Sequence, residues 1–153
     1  MRDMAAERGM TILELSRVAE TDESIDREID ERSARLAGSG GTFVMDARLG
    51  WYFIPGSVKV FLDVRPEVAA SRVYGAGRTT EKENIDFEAT VTAIAKRTES
   101  ERERYIAYYG IDYLDPAHYD LVLDTSDLTP EEVVDAIIAH LRERDLVYGA
   151  GAG

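Results

Sequence analysis

At 153 residues, with 44% hydrophobic and 31% charged composition, the chain has the size and balance of one soluble domain around one core. A formal charge of −12 and a pI near 4.6 argue against nucleic acid or an anionic membrane as partner, though not against a local cluster of arginines in a cleft. The absence of cysteine excludes disulfides and thiolate chemistry and fits a reducing compartment; with no basic leader and no apolar run of about 18 residues, the cytoplasm is the expected location.

Residues 2–9 (RDMAAERG) read as the last turns of a helix ending at Gly9. Thr11 and Glu14 form a capping box for the next helix, with Ile12, Leu15 and Val18 on its apolar side. A further helix over about 23–36 has the stripe Ile25, Ile29, Ser33 and Leu36, and Asp26, Arg27, Glu28, Asp30, Glu31, Arg32 and Arg35 around it are read as its surface, most of them solvated. Gly38-Ser39-Gly40-Gly41 breaks it. This glycine run lacks the Lys-Ser/Thr of a Walker A loop and precedes a strand instead of following one, so it is not read as a phosphate loop.

The chain is organised around residues 41–51, GTFVMDARLGW. Thr42 to Met45 reads as a strand buried on both faces, as in a parallel sheet covered by helices, and it delivers Asp46 and Arg48 to the strand's carboxyl end, where such sheets bind ligands. A second strand, Val58 to Leu62, follows the Pro55-Gly56 turn and ends at Asp63; Pro66 then opens a helix to about Val73. Residues 75–80 (GAGRTT) form a flexible basic turn.

The helix expected over about 86–109 loses its apolar stripe at AKRTESERER, residues 95–104. Its middle is therefore expected to project, with Arg97, Glu101 and Arg104 on one face, either as a solvated ion-paired surface or as a mobile arm carrying arginines over a polyanion. Gly110 ends that helix. Leu121 to Leu123 reads as a third strand, and Thr129-Pro130-Glu131-Glu132 starts the last helix, whose buried side is Val133, Val134, Ile137, Ile138 and Leu141. The tail from Tyr148 is expected to fray.

His118 and His140 offer no metal spacing, and Asp112 and Asp124 read as caps or turn formers rather than Mg²⁺ ligands, so no metal site is assigned. The Gly-x-Ser-x-Gly and His-Glu-x-x-His motifs are absent, which leaves an unrelated hydrolase without nucleophile or ligands. The distinctive supply is arginine at the edges of elements: Arg2, Arg48, Arg72, Arg78, Arg97 and Arg104. Guanidinium forks suit phosphate, and several converging on one cleft suit phosphoryl transfer.

In this order the motifs resemble those of the compact, archaeal-like cytidylate kinases, over Arg2 to about Leu141. Arg2 in RDMAAERGM is similar in place to an arginine that grips the acceptor phosphate, and Arg48 in DARLGW to a second phosphate-binding arginine. LDVRPEVAASRV, residues 62–73, loosely matches a strand end followed by Arg-x-x-Arg-Ile, with Arg72 on the helix. The family's lid begins near Arg78 and returns through RTESERERYIAYYGID, which contains Arg97, Glu101 and Arg104, before YDLVLDTS at Tyr119 to Ser126.

The resemblance implies an α/β, P-loop nucleoside-monophosphate-kinase-like parallel sheet with flanking helices and an arginine-bearing lid. The chain is read as a single domain, 1–153, with acceptor-binding helices over about 1–37 and the lid over about 78–105. Arg97, Arg104 and Arg78 are the expected catalytic residues, and Arg2, Arg48 and Arg72 the expected substrate-binding residues. The family's first strand, Walker A loop and first helix would precede Arg2 and are expected to be missing, which would turn Phe43 to Met45 from a core strand into an exposed edge; no cofactor-binding residue is assigned, although ATP and Mg²⁺ are the cofactors that the resemblance implies. The expected reaction is phosphoryl transfer from ATP to CMP or dCMP, with this chain inactive unless the loop is supplied. The alternative is a non-enzymatic nucleotide-binding or protein-interaction remnant, with a protein partner or self-association at the exposed sheet edge.

Overall fold

A computed structural model describes residues 2–38, 41–75 and 86–146. Its first three helices are α1 (Arg2–Glu7), α2 (Ile12–Ala19) and α3 (Ser24–Gly38). Thr11 caps α2 through the expected reciprocal pair: its hydroxyl accepts from the Glu14 N–H at 3.1 Å, and the Glu14 carboxylate accepts from the Thr11 N–H at 2.8 Å. Each bond satisfies a backbone donor that the helix itself leaves unpaired. Met4, Ala5, Leu15, Ala19 and Ile25 bury fully where the three helices meet, with Ile12, Val18 and Ile29 packed around them. Each large apolar side chain so buried is worth about 2–3 kcal/mol. Arg32 ties α3 to Glu7 of α1 at 2.7 Å, an exposed pair that adds little.

The second half is α/β. After α4 (Gly50–Phe53) come β1 (Val60–Asp63), α5 (Pro66–Gly75), α6 (Phe87–Tyr109), a 3₁₀ turn at Pro116–His118, β2 (Leu121–Asp124) and α7 (Pro130–Glu143). The two strands pair in parallel, Val60 opposite Leu121 through Asp63 opposite Asp124. α5 packs along α6, where Ala70 and Thr90 are fully buried. Asp86 caps α6 by accepting from the Ala89 N–H at 2.7 Å. Gly110 ends it in the left-handed region at φ +68°, which suits a residue without a Cβ. Thr129 and Glu132 form the second capping box, at α7. No helix among the described residues is long and apolar enough to cross a membrane.

Four expectations are corrected. Residues 42–47 form no strand; Phe43 is 44% exposed and Val44 fully exposed. The run stands outside the two-stranded β1–β2 ladder, and an extended segment without a ladder has no regular structure to join. The middle of α6 does not project: Glu101 and Arg104 are buried, because their charges are paired. Asp26 and Asp30 are not solvated but buried against that same helix. Finally, no residue of α7 is buried and Val134 stands 56% exposed, as expected of a helix lying on a sheet only two strands wide. Ser39 and Gly40 of the glycine-rich break, residues 76–80 of the basic turn and the tail from 148 lie outside the described residues.

Candidate functional site

The turn before α4 presents Arg48. Leu49, 3% exposed, anchors the chain among Tyr105, Ile111 and Tyr113. Gly50 allows the turn to close tightly, since a Cβ there would lie 3.1 Å from Met45 Sδ and 3.2 Å from Ala47 Cβ, closer than side chains normally approach. Arg48 then meets the middle of α6: its Nε donates to Glu101 Oε2 at 2.9 Å, and its guanidinium carbon lies 6.0 Å from the centroid of the Tyr113 ring, within cation–π range. Arg97, one turn before Glu101, approaches its other carboxylate oxygen at 4.0 Å.

Glu101 is 5% exposed, whereas the Arg48 side chain is 48% exposed. The carboxylate is thus a buried counter-ion under a partly open guanidinium. Only Nε of Arg48 is engaged, and its Nη1 and Nη2 have no hydrogen-bond partner among the described residues. Arg97 Nε is buried, likewise without a hydrogen-bond partner there. Burial pulls the Arg48 pKa down, but the Glu101 charge and hydrogen bond outweigh it and leave the group above its ordinary value. Burial, reinforced by the Glu101 charge, pushes the Tyr113 hydroxyl up to about 12.

A second ionic layer joins α6 to α3. Arg104 donates from Nε to Asp26 Oδ2 at 2.9 Å and from Nη1 to Ser100 Oγ at 2.8 Å, and Ser100 Oγ donates to Glu20 Oε1 at 3.0 Å. One turn along α3, Asp30 accepts from the Tyr109 hydroxyl. Burial raises the Asp30 pKa to about 6; the Tyr109 hydrogen bond opposes this rise and the neighbouring Asp26 charge adds to it. Burial also raises Tyr109, with the hydrogen bond to Asp30 acting in the same sense.

Of the six arginines singled out by sequence, Arg48, Arg97 and Arg104 come together around Glu101 and Asp26. Arg72 has a different set of partners: its guanidinium donates to the Thr125 carbonyl at 2.6 Å, the Leu128 carbonyl at 3.3 Å and Thr125 Oγ1 at 3.2 Å, holding the loop after β2. Arg2 opens α1, and Arg78 lies outside the described residues. Sequence reasoning gave no role to Asp26, Asp30, Tyr109 or Tyr113. The Asp26–Asp30 spacing of one helical turn, beside the Ile25–Ile29 stripe, was the available signal. His118 stacks on Trp51 with centroids 4.7 Å apart, while Asp112 is held by Arg102 at 2.7 Å and Asp124 by the Ser126 N–H at 2.9 Å. Among the described residues, no group of three His, Cys, Asp or Glu side chains could hold a metal ion.

Parallel strands, flanking helices and three arginines gathered on buried carboxylates define an α/β protein with an ionic cluster on its longest helix. Residues 1–127 match the cytidylate kinase-like family; the chain belongs to that family and so to a nucleoside-monophosphate kinase lineage. A cytidylate kinase of Pyrococcus abyssi is 38% identical over 146 residues, covering 94% of this chain and 77% of the relative. One from Methanobrevibacter smithii is 34% identical over 141 residues, covering 92% and 78% respectively. An S-adenosylmethionine-dependent nucleotide dehydratase of Lacinutrix mariniflava is 36% identical over 147 residues, which are 95% of this chain but 30% of that protein. No solved structure matches the chain.

Proposed function

We propose that this chain is the acceptor-binding and lid portion of a cytidylate kinase-type phosphotransferase, a single unit in which helices over about 1–37 and a lid over about 78–105 receive CMP or dCMP. The observation that carries this reading is the meeting of Arg48 and Arg97 on Glu101 with donor groups still unpaired. A phosphate monoester offers three acceptor oxygens to such forks. In this reading Arg48, with Arg2 and Arg72, binds the acceptor, while Arg97, Arg104 and Arg78 serve the transfer, with Arg104 at the base of the cluster.

ATP and Mg²⁺ are the cofactors that the family implies. No residue of this chain is assigned to them: the described residues contain no group of three His, Cys, Asp or Glu side chains that could hold a metal ion, and the sequence contains no Gly-x-x-x-x-Gly-Lys-Ser/Thr. Without the backbone N–H cradle of that loop, the rate should fall by many powers of ten. Phosphoryl transfer therefore requires that a Walker A segment be supplied to this chain. Separate calorimetric titrations with CMP and ATP, plus a coupled ATP/CMP assay on this 153-residue chain, test the reading. CMP binding that exceeds cytidine binding, no ATP binding and no turnover are expected. Absence of CMP binding would refute the acceptor site, and robust turnover would refute the requirement for a supplied loop.

The second reading is a nucleotide-binding or protein-interaction remnant with no catalytic role. It draws on the apolar side chains that the two strands leave uncovered, Leu62 of β1 at 48% and Val122 of β2 at 45% exposed, since an uncovered strand edge invites pairing with a partner or a second copy. The Lacinutrix relative, a nucleotide dehydratase of which the aligned part is 30%, is consistent with such a unit serving inside a longer nucleotide-processing protein. Turnover restored by adding a Walker A segment would exclude this second reading.

A further inference from the structure

We infer that Glu101 is the positioning residue of the phosphate site, acting by the hydrogen bond it accepts from Arg48 and not by its charge; this rests on the acceptor-site reading above. A guanidinium can present two bidentate edges, one built on Nε and one on its two terminal nitrogens. Glu101 takes the Nε side of Arg48 at 2.9 Å, while the Tyr113 ring lies 6.0 Å from the guanidinium carbon. Held at one edge and faced by an aromatic ring, Arg48 is left with its terminal edge unpaired among the described residues, on a side chain that is 48% exposed against 7% for that of Glu101.

The burial of Glu101 separates this role from direct recognition. A carboxylate that deep does not reach a ligand lying over Arg48, and it is itself an anion, so its charge opposes phosphate. What it offers a phosphate is geometry. Arg48 and Arg97 carry like charges and long flexible stems, and ordering two such side chains costs rotamer entropy that would otherwise be subtracted from binding. The hydrogen bond to Glu101 completes that ordering for Arg48 before a ligand arrives, whereas Arg97 stands 4.0 Å from the same carboxylate, and the trio keeps a net charge of +1 from two arginines and one carboxylate. The other titratable groups near this carboxylate are Arg104, whose Nε is committed to Asp26, and the tyrosines at 105 and 113, whose hydroxyls stay neutral because burial raises them.

Two conservative substitutions separate position from charge. Glu101→Gln keeps an oxygen at the same reach and removes the charge; Glu101→Asp keeps the charge and withdraws the oxygens by one methylene, too far to accept from Arg48 Nε. Calorimetry of the wild type and both variants, each titrated with CMP, cytidine and inorganic phosphate, reads the preference for the phosphorylated ligand. Glu101→Asp is expected to reduce the preference for CMP over cytidine about tenfold, the worth of one misplaced charge-assisted hydrogen bond, with cytidine affinity unchanged. Glu101→Gln is expected to stay within about threefold of the wild type for the same physical reason. The Arg48 Nε–H resonance should be slowly exchanging in the wild type and in Glu101→Gln, and lost in Glu101→Asp. This signal keeps the comparison decisive even if the Asp variant is poorly folded, because the Gln variant alone must then retain both the resonance and the preference. Wild type that does not prefer CMP to cytidine refutes the acceptor-site reading. A wild-type preference retained in Glu101→Asp, or lost in Glu101→Gln, refutes the positioning role.

Discussion

Replacing Asp30 by Asn should change the pH dependence of stability, with little effect near pH 4 and a gain at neutral pH. Asp30 is 9% exposed and its carboxyl titrates at about 6 instead of 3.8, first because burial disfavours the charge and next against the pull of the Tyr109 hydrogen bond, with Asp26 one turn away adding to the rise. Its neighbours across the interface are Tyr109 and, through Asp26, Arg104 of α6. Each tenfold change in proton affinity is worth about 1.4 kcal/mol, so the displacement from 3.8 to about 6 corresponds to at most about 3 kcal/mol. The native state holds this proton more tightly than the unfolded chain. The Asp30 contribution is therefore fully present below about pH 4 and is lost as pH rises through about 6. Asn keeps an acceptor for the Tyr109 hydroxyl and carries no charge. Urea unfolding of both proteins from pH 4 to pH 7.5 should show Asp30→Asn gaining on the wild type by about 1–3 kcal/mol across that range. Parallel pH profiles would mean that Asp30 ionises as freely in the folded protein as in water, and would refute the argument from burial.

Arg104→Leu leaves Asp26 as a buried carboxylate without its cation and should cost about 3–5 kcal/mol, most of which an Asp26→Leu, Arg104→Leu double variant recovers; an equal loss in the double variant, measured by denaturant unfolding, would show that packing and not charge pairing matters there. Thr129→Ala removes the hydroxyl that accepts from the Glu132 N–H at 3.2 Å and should lower stability by about 1 kcal/mol, read as a fall of about 2–4 °C in Tm.

The parts of the fold legible in the sequence are those decided within a few residues. Both capping boxes, the Gly110 stop and the strands before Asp63 and Asp124 depend on local hydrogen bonding or on a short apolar run, and the structure has them all. The run Thr42 to Met45 has the same local character as β1, but a strand also needs a partner, and partnership is not written in the segment itself. The error over the middle of α6 has the opposite cause. Burial there is secured by matched charges, Arg48 with Glu101 and Arg104 with Asp26, and a periodicity drawn from apolar residues is blind to it. The same blindness put Asp26 and Asp30 in solvent. Arginines could be picked out as phosphate-seeking by their chemistry, yet which of them meet depends on α3, α6 and the turn at Gly50 arriving together.

The parallel pairing of β1 with β2 also has a kinetic consequence. Its residues are separated by α5, α6 and the 3₁₀ turn, so its first hydrogen bond closes a long loop whose entropy must be met before any ladder energy is gained. The α1–α3 cluster, by contrast, joins residues from Met4 to Ile29 and can assemble through near neighbours. The helical third is thus placed to form early and the sheet late, and a strand added from outside would have to find β1 during or after that slow step. Any segment that stabilises the sheet edge would raise the folded population of the second half as it binds, so that ligand-site assembly and the completion of folding become one equilibrium.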